Sequence, residues 1–149
     1  MALLFIPFSA VLLALFLLWP NDERRISRLF GDGARAVRTE DLEEVMSHVS
    51  LTYKDDAGLT YLSLRPALKR LFTSFSDIVV EYELRQISVS DSAASADLYV
   101  TVSAAVDGEN VYVLGDGETP TRLVFALERE KGKWLVTRCG GLAGVVRLD

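Results

Sequence analysis

The chain has 149 residues, with 16 Lys and Arg against 21 Asp and Glu, for a net charge of −5. That balance disfavours nucleic acid, and no cluster of Lys and Arg interleaved with aromatics argues otherwise. The single cysteine, Cys139, excludes an internal disulfide and a Cys-rich zinc site.

Every charged residue follows Pro20. From Ala2 to Trp19 an α-helix would rise about 27 Å, close to the hydrocarbon thickness of a bilayer. No Lys or Arg precedes this run, no A-x-A cleavage pattern closes it, and no cysteine offers a lipoprotein signal. The expectation is an uncleaved membrane anchor over residues 1–20, with Trp19 at the interface, and a single-pass localisation. A cleaved signal peptide and a core helix are the alternatives. The positive-inside rule, applied to Arg24, Arg25 and Arg28, puts the following domain in the cytoplasm. The habit of short bacterial anchors would put it in the periplasm, so the side stays open. Residues 21–149 form one domain, large enough for a core of its own.

Asp22 to Arg38 reads as a helix, with Ile26, Leu29, Phe30, Ala34 and Val37 on one face. Gly31 and Gly33 weaken its middle and would let another backbone approach. Thr39 is the expected N-cap of a short second helix, whose apolar stripe is Leu42, Val45, Met46 and Val49. An extended segment from Ser50 to Thr60 turns at Asp55-Asp56-Ala57-Gly58. The third helix, Tyr61 to Phe75, takes Ser63 as N-cap. Its Leu64, Leu68, Leu71 and Phe72 are spaced to pack on the concave side of a sheet.

After Asp77 the period changes to two. Val80, Tyr82 and Leu84 alternate with charges, and the apolar phase then moves to Ile87 and Val89, which predicts a β-bulge near Arg85-Gln86. Further strands follow over Ala96 to Val102, Val111 to Leu114, Leu123 to Leu127 and Trp134 to Cys139. Turns at Asp107-Gly108 and Lys131-Gly132-Lys133 join them. The tail from Gly140 to Asp149 is expected either to lie against the sheet edge or to fray. Helices first and an antiparallel meander second make the fold class α+β. A bent sheet with helices on its concave side leaves a cone-shaped cavity. Val124, Ala126 and Leu135 give some strands a second apolar face, which would serve a homodimer through the sheet.

Three stretches carry a family likeness: Val49-Ser50-Leu51-Thr52-Tyr53-Lys54-Asp55-Asp56-Ala57-Gly58, then Leu68-Lys69-Arg70-Leu71-Phe72, then Leu127-Glu128-Arg129-Glu130-Lys131-Gly132-Lys133-Trp134-Leu135-Val136. With the three-helix start, they resemble the nuclear transport factor 2-like superfamily, which includes SnoaL-like proteins and ketosteroid isomerases. The resemblance implies a cone of three helices on a curved sheet. It does not fix an activity, because the fold hosts enzymes, binding domains and transport factors. In isomerase-type members a carboxylate near the end of the second helix abstracts a proton, and the matching position falls at Asp55 or Asp56. The same Tyr53-x-Asp55-x-x-Gly58 pattern also reads as architecture, with Asp55 accepting backbone N–H groups and Gly58 at positive φ. Asp97 and Tyr99 sit on the polar face of their strand and are expected to point away from the core.

Other candidates are weaker. His48 could act with Cys139 only if something activated the thiol. Asp107, Glu109, Asp116 and Glu118 flank turns without the spacing of a calcium loop. Gly115-Asp116-Gly117 lacks the Lys-Ser/Thr of a phosphate loop. The reading is therefore a membrane-anchored, non-catalytic domain without cofactor or metal, binding a small apolar ligand or a protein partner. The expected pocket lining is Phe30, Met46, Tyr53, Leu71, Phe72, Leu98 and Trp134. The alternatives are a cofactor-independent isomerase or cyclase-like enzyme with Asp55 as base, and a structural dimerisation module.

Overall fold

The computed structural model describes residues 11, 13, 14 and 21–143. Helices α1 (Asp22–Arg38), α2 (Leu42–Ser47) and α3 (Tyr61–Ser74) come first. Strands β1 (Ser76–Ser90), β2 (Ala93–Val106), β3 (Glu109–Leu114), β4 (Thr121–Glu130) and β5 (Lys133–Gly140) follow. The α+β order read from the sequence is the observed one.

The single-pass membrane localisation is corrected. Among the described residues no helix is long and apolar enough to cross a membrane. A span needs about 20 apolar residues, whereas α1 is 17 residues long and opens with Asp22, Glu23, Arg24 and Arg25. The expected anchor, residues 1–20, lies outside the described residues apart from Val11, Leu13 and Ala14.

Helix α1 begins where the Asn21 side chain accepts from the backbone N–H of Glu23 at 3.0 Å. Acidic residues occupy its first turn and Arg35 and Arg38 its last, both in the sense the helix dipole favours. Its buried face is Ile26, Leu29, Phe30 and Ala34, at helical spacing. Two caps differ from expectation. Thr39 closes α1, and Asp41 caps α2 by accepting from Glu44 N–H at 3.0 Å. Thr60 caps α3 from an extended backbone, while Ser63 reaches back to accept from its N–H at 2.8 Å. In each case both residues are capping types, and the backbone break falls on the other one.

The sheet is antiparallel. β1 pairs with β2 along its length, and the register slips between Leu84 and Gln86, so Arg85 is the predicted bulge. β2 pairs with β4 up to Val100↔Thr121, then with β3 from Val102↔Leu114. One long strand thus changes partner midway. β5 pairs with β4, and its other edge receives a parallel bridge from Val49 to Val136. Hairpins turn at Asp107-Gly108 and Lys131-Gly132, all four residues at positive φ. The core lies between α1 and the sheet, around Ile26, Ala96, Leu98, Leu127 and Trp134.

Helix α3 differs most from expectation. None of its residues is fully buried. Leu64 and Leu68 face the interior, Leu71 is half-buried at the side, and Phe72 faces a shallow depression with Glu43, Arg65 and Lys69. The helix rests on the rim of the cone. Arg65 pairs with Glu43 of α2 through both guanidinium branches, and Tyr61 N–H donates to Tyr53 O at 3.3 Å.

Candidate functional site

The open space inside the cone is a cavity of about 340 Å³. Helix α1 supplies Leu29, Phe30, Gly33, Ala34 and Val37 to its wall, and α3 supplies Leu64 and Leu68. The sheet floor includes Leu98, Val100, Leu123 and Phe125. The Phe30 and Phe125 rings meet at one end, with centroids 5.0 Å apart and planes tilted by 60°. Among the described residues no Asp, Glu, Lys or Arg lines the cavity. Its polar side chains are those of His48, Tyr53, Tyr82 and Cys139.

Of the lining residues expected from the sequence, Phe30, Tyr53 and Leu98 are on the wall. Met46, Leu71, Phe72 and Trp134 are not. Met46 is 3% exposed, but the short α2 turns Val45 and His48 toward the cavity instead. Leu71 and Phe72 lie one turn past Leu68, beyond the cavity's end. Trp134 sits under the first turn of α1, where its indole N–H donates to Asp22 Oδ1 at 3.0 Å. Arg129 covers its ring at 5.4 Å. The indole nitrogen needs an acceptor when buried, and Asp22 draws it away from the cone.

The Tyr53 to Gly58 loop is tightly bonded. Tyr53 O–H donates to Asp55 Oδ2 at 2.9 Å, and Leu59 N–H donates to Asp55 Oδ1 at 2.8 Å. Asp55 N–H in turn donates to Leu59 O at 2.9 Å. Gly58 takes φ 89, a conformation that costs a side-chain-bearing residue dearly. Burial above all, then the neighbouring Cys139 and Asp55, pushes the Tyr53 hydroxyl far above the ordinary tyrosine value. It therefore keeps its proton and remains a donor to Asp55. Asp55 is 5% exposed and does not line the cavity.

Asp56 faces the other way. Its carboxylate accepts from the backbone N–H groups of Gly141, Leu142 and Ala143 at 2.8 to 3.2 Å. Those bonds, the one from Gly141 foremost, hold its carboxyl below the usual carboxylate value. They also seat Leu142 on the cavity wall. The two adjacent aspartates thus do different work: one ties the loop to itself, the other ties the chain after β5 to the loop.

His48 and Cys139 share the cavity, yet no hydrogen bond joins them among the described residues. His48 Nε2 lies 3.1 Å from Glu44 Oε1. Burial, helped by Asp55 and Asp56, pushes the Cys139 thiol up to about 12, which leaves no thiolate for nucleophilic work near neutral pH. Asp97 is on the outer face of the sheet, held by Arg122 Nε and Nη2, and Arg85 lies 5.8 Å from the Tyr99 ring centroid. Asp107, Asp116 and Glu118 are exposed residues of turns and loops, and Glu109 is the exposed first residue of β3. Among the described residues no three His, Cys, Asp or Glu gather as a metal site.

Sequence reasoning missed Gly33 and His48 as cavity residues, and it placed Leu64 and Leu68 on the concave side without counting them in the lining. The i, i+4 relation of Leu29, Gly33 and Val37 could have found the first, since all three share one stripe of α1.

No protein-family model matches the sequence, and no curated protein matches it. Solved structures do match in shape. A candidate aromatic ring hydroxylase from Novosphingobium aromaticivorans is 24% identical, with a TM-score of 0.65 over 80% of this chain and 86% of that one. A candidate scytalone dehydratase from the same organism is 16% identical, with a TM-score of 0.67 over 80% and 81%. An NTF2-like protein with a cystatin-like fold, also from Novosphingobium aromaticivorans, is 14% identical, with a TM-score of 0.66 over 86% and 85%. The fold is NTF2-like: an α+β cone of three helices and a curved antiparallel sheet.

Proposed function

We propose that this domain binds a small, uncharged, predominantly apolar molecule inside the cone. The observation that carries the reading is the wall itself: a 340 Å³ cavity with no Asp, Glu, Lys or Arg on it among the described residues. A carboxylate or phosphate would lose its hydration there and meet no Lys or Arg of the described residues, and the wall's one imidazole, His48, already faces Glu44. A neutral apolar ligand loses nothing comparable, and each buried methylene adds about 0.8 kcal/mol. The volume falls at the small end of the range usual for ligand pockets, about 300–1,000 Å³.

The same geometry speaks against proton abstraction by Asp55. A base must reach the abstracted proton at hydrogen-bond distance. Both Asp55 oxygens instead hold donors of its own loop, and the carboxylate is not on the wall.

The test is a titration with 1-N-phenylnaphthylamine, a neutral dye that fluoresces in apolar surroundings. Saturable enhancement at one dye per chain, displaced by neutral aromatic hydrocarbons and not by their carboxylates, is the expected result. Absence of saturation up to the dye's solubility limit, or equal displacement by the carboxylates, would overturn the reading.

A further inference from the structure

We infer that Gly33 sets the size limit of the ligand, an inference that rests on the apolar-ligand reading above. Gly33 lies inside α1, five residues before its end at Arg38. Glycine is among the poorest helix formers, and nothing in the turn geometry there calls for it. Its φ is not among the positive values that other glycines adopt in this fold. A Cβ at Gly33 would meet no heavy atom within 4 Å. Packing alone therefore gives no reason to exclude a side chain.

Gly33 nevertheless lines the cavity, between Leu29 one turn before and Val37 one turn after. The stripe is apolar on both sides of a single missing side chain. The gap adds room to the cavity at the place where α1 would otherwise fill it. Gly31, two residues earlier, is different: a Cβ there would touch Tyr82 Oη at 3.5 Å, an ordinary contact. A methyl at Gly31 would thus meet an existing neighbour, whereas one at Gly33 would enter open space. A side chain at position 33 would be tolerated by the helix and would occupy ligand volume.

The experiment measures competition of straight-chain primary alcohols, hexanol to dodecanol, against 1-N-phenylnaphthylamine on the full chain. Wild type, Gly33→Ala and Gly33→Leu are compared. In wild type, affinity should rise about fourfold per added methylene until the chain fills the cavity, then level off. The levelling should come at a shorter alcohol in Gly33→Leu, with Gly33→Ala between, while hexanol binds all three proteins alike. Melting temperatures at or above that of wild type would show that the fold is intact, and should Gly33→Leu fail to fold, Gly33→Ala alone carries the comparison. Levelling at the same chain length in all three proteins would overturn the inference and leave the apolar-ligand reading standing. A uniform loss across the whole series at unchanged melting temperature would overturn it too, since Gly33 would then act on the site as a whole. If wild type binds neither dye nor alcohols, both readings fall.

Discussion

Removal of the Tyr53 hydroxyl strands Asp55 Oδ2 inside the fold without its donor. Tyr53→Phe should therefore cost about 1–3 kcal/mol in urea denaturation, the usual cost of an unsatisfied buried polar group, although the ring itself is kept. Asp56 gives the fold an acid dependence of stated sign. Its folded value is lowered by the three backbone N–H groups, so its contribution is complete above the ordinary carboxylate value. That contribution is lost as pH falls below about 4, through the depressed value. The denaturation midpoint should drop over that window in wild type and drop less in Asp56→Asn. The bonding of this loop was readable because Tyr53-x-Asp55-x-x-Gly58 combines a core aromatic, a backbone acceptor and a glycine at fixed spacing. Gly33 was readable as a cavity residue only through the stripe it shares with Leu29 and Val37, because a glycine in a helical pattern by itself signals weakness or close approach.

At the scale of the element, Leu68→Ala on α3 should cost less than the about 2–5 kcal/mol of a fully buried leucine. Leu68 is half-buried and looks into open volume, so its removal enlarges a cavity that already exists. Chemical denaturation of the variant measures this, and a loss within the full range would mean that α3 packs more deeply. The amphipathic stripe of α3 was legible and pointed to the correct face. How far that face sinks was not, because depth depends on what the sheet leaves unfilled beneath it. The bulge at Arg85 was legible, since a one-residue insertion moves the apolar phase from Leu84 to Ile87. The caps were legible only to within two or three residues, because Thr39 and Asp41, like Thr60 and Ser63, are both capping types and differ in backbone.

For the whole molecule, the order of helices before an antiparallel meander was enough to give the α+β cone, since such an order admits few packings. The partner change of β2 between Val100 and Val102 was not visible, because pairing choice leaves no mark on one strand's own alternation. Localisation was over-read from hydropathy: an apolar run tells what a segment avoids, and the described helices hold no span. The shallow seat of α3 has a consequence for timing. Among the described residues its ties to the rest include the Arg65–Glu43 pair, the Tyr61 N–H bond, the Lys54–Thr60 bridge and the half-buried Tyr61, Leu64 and Leu68, whereas the sheet beneath is held by continuous ladders. An outward swing of the helix would leave the β1–β2, β2–β4 and β4–β5 ladders intact. A bound molecule would then come and go at the pace of a moving helix, on the order of microseconds to milliseconds, and its residence time would be independent of how slowly the domain unfolds.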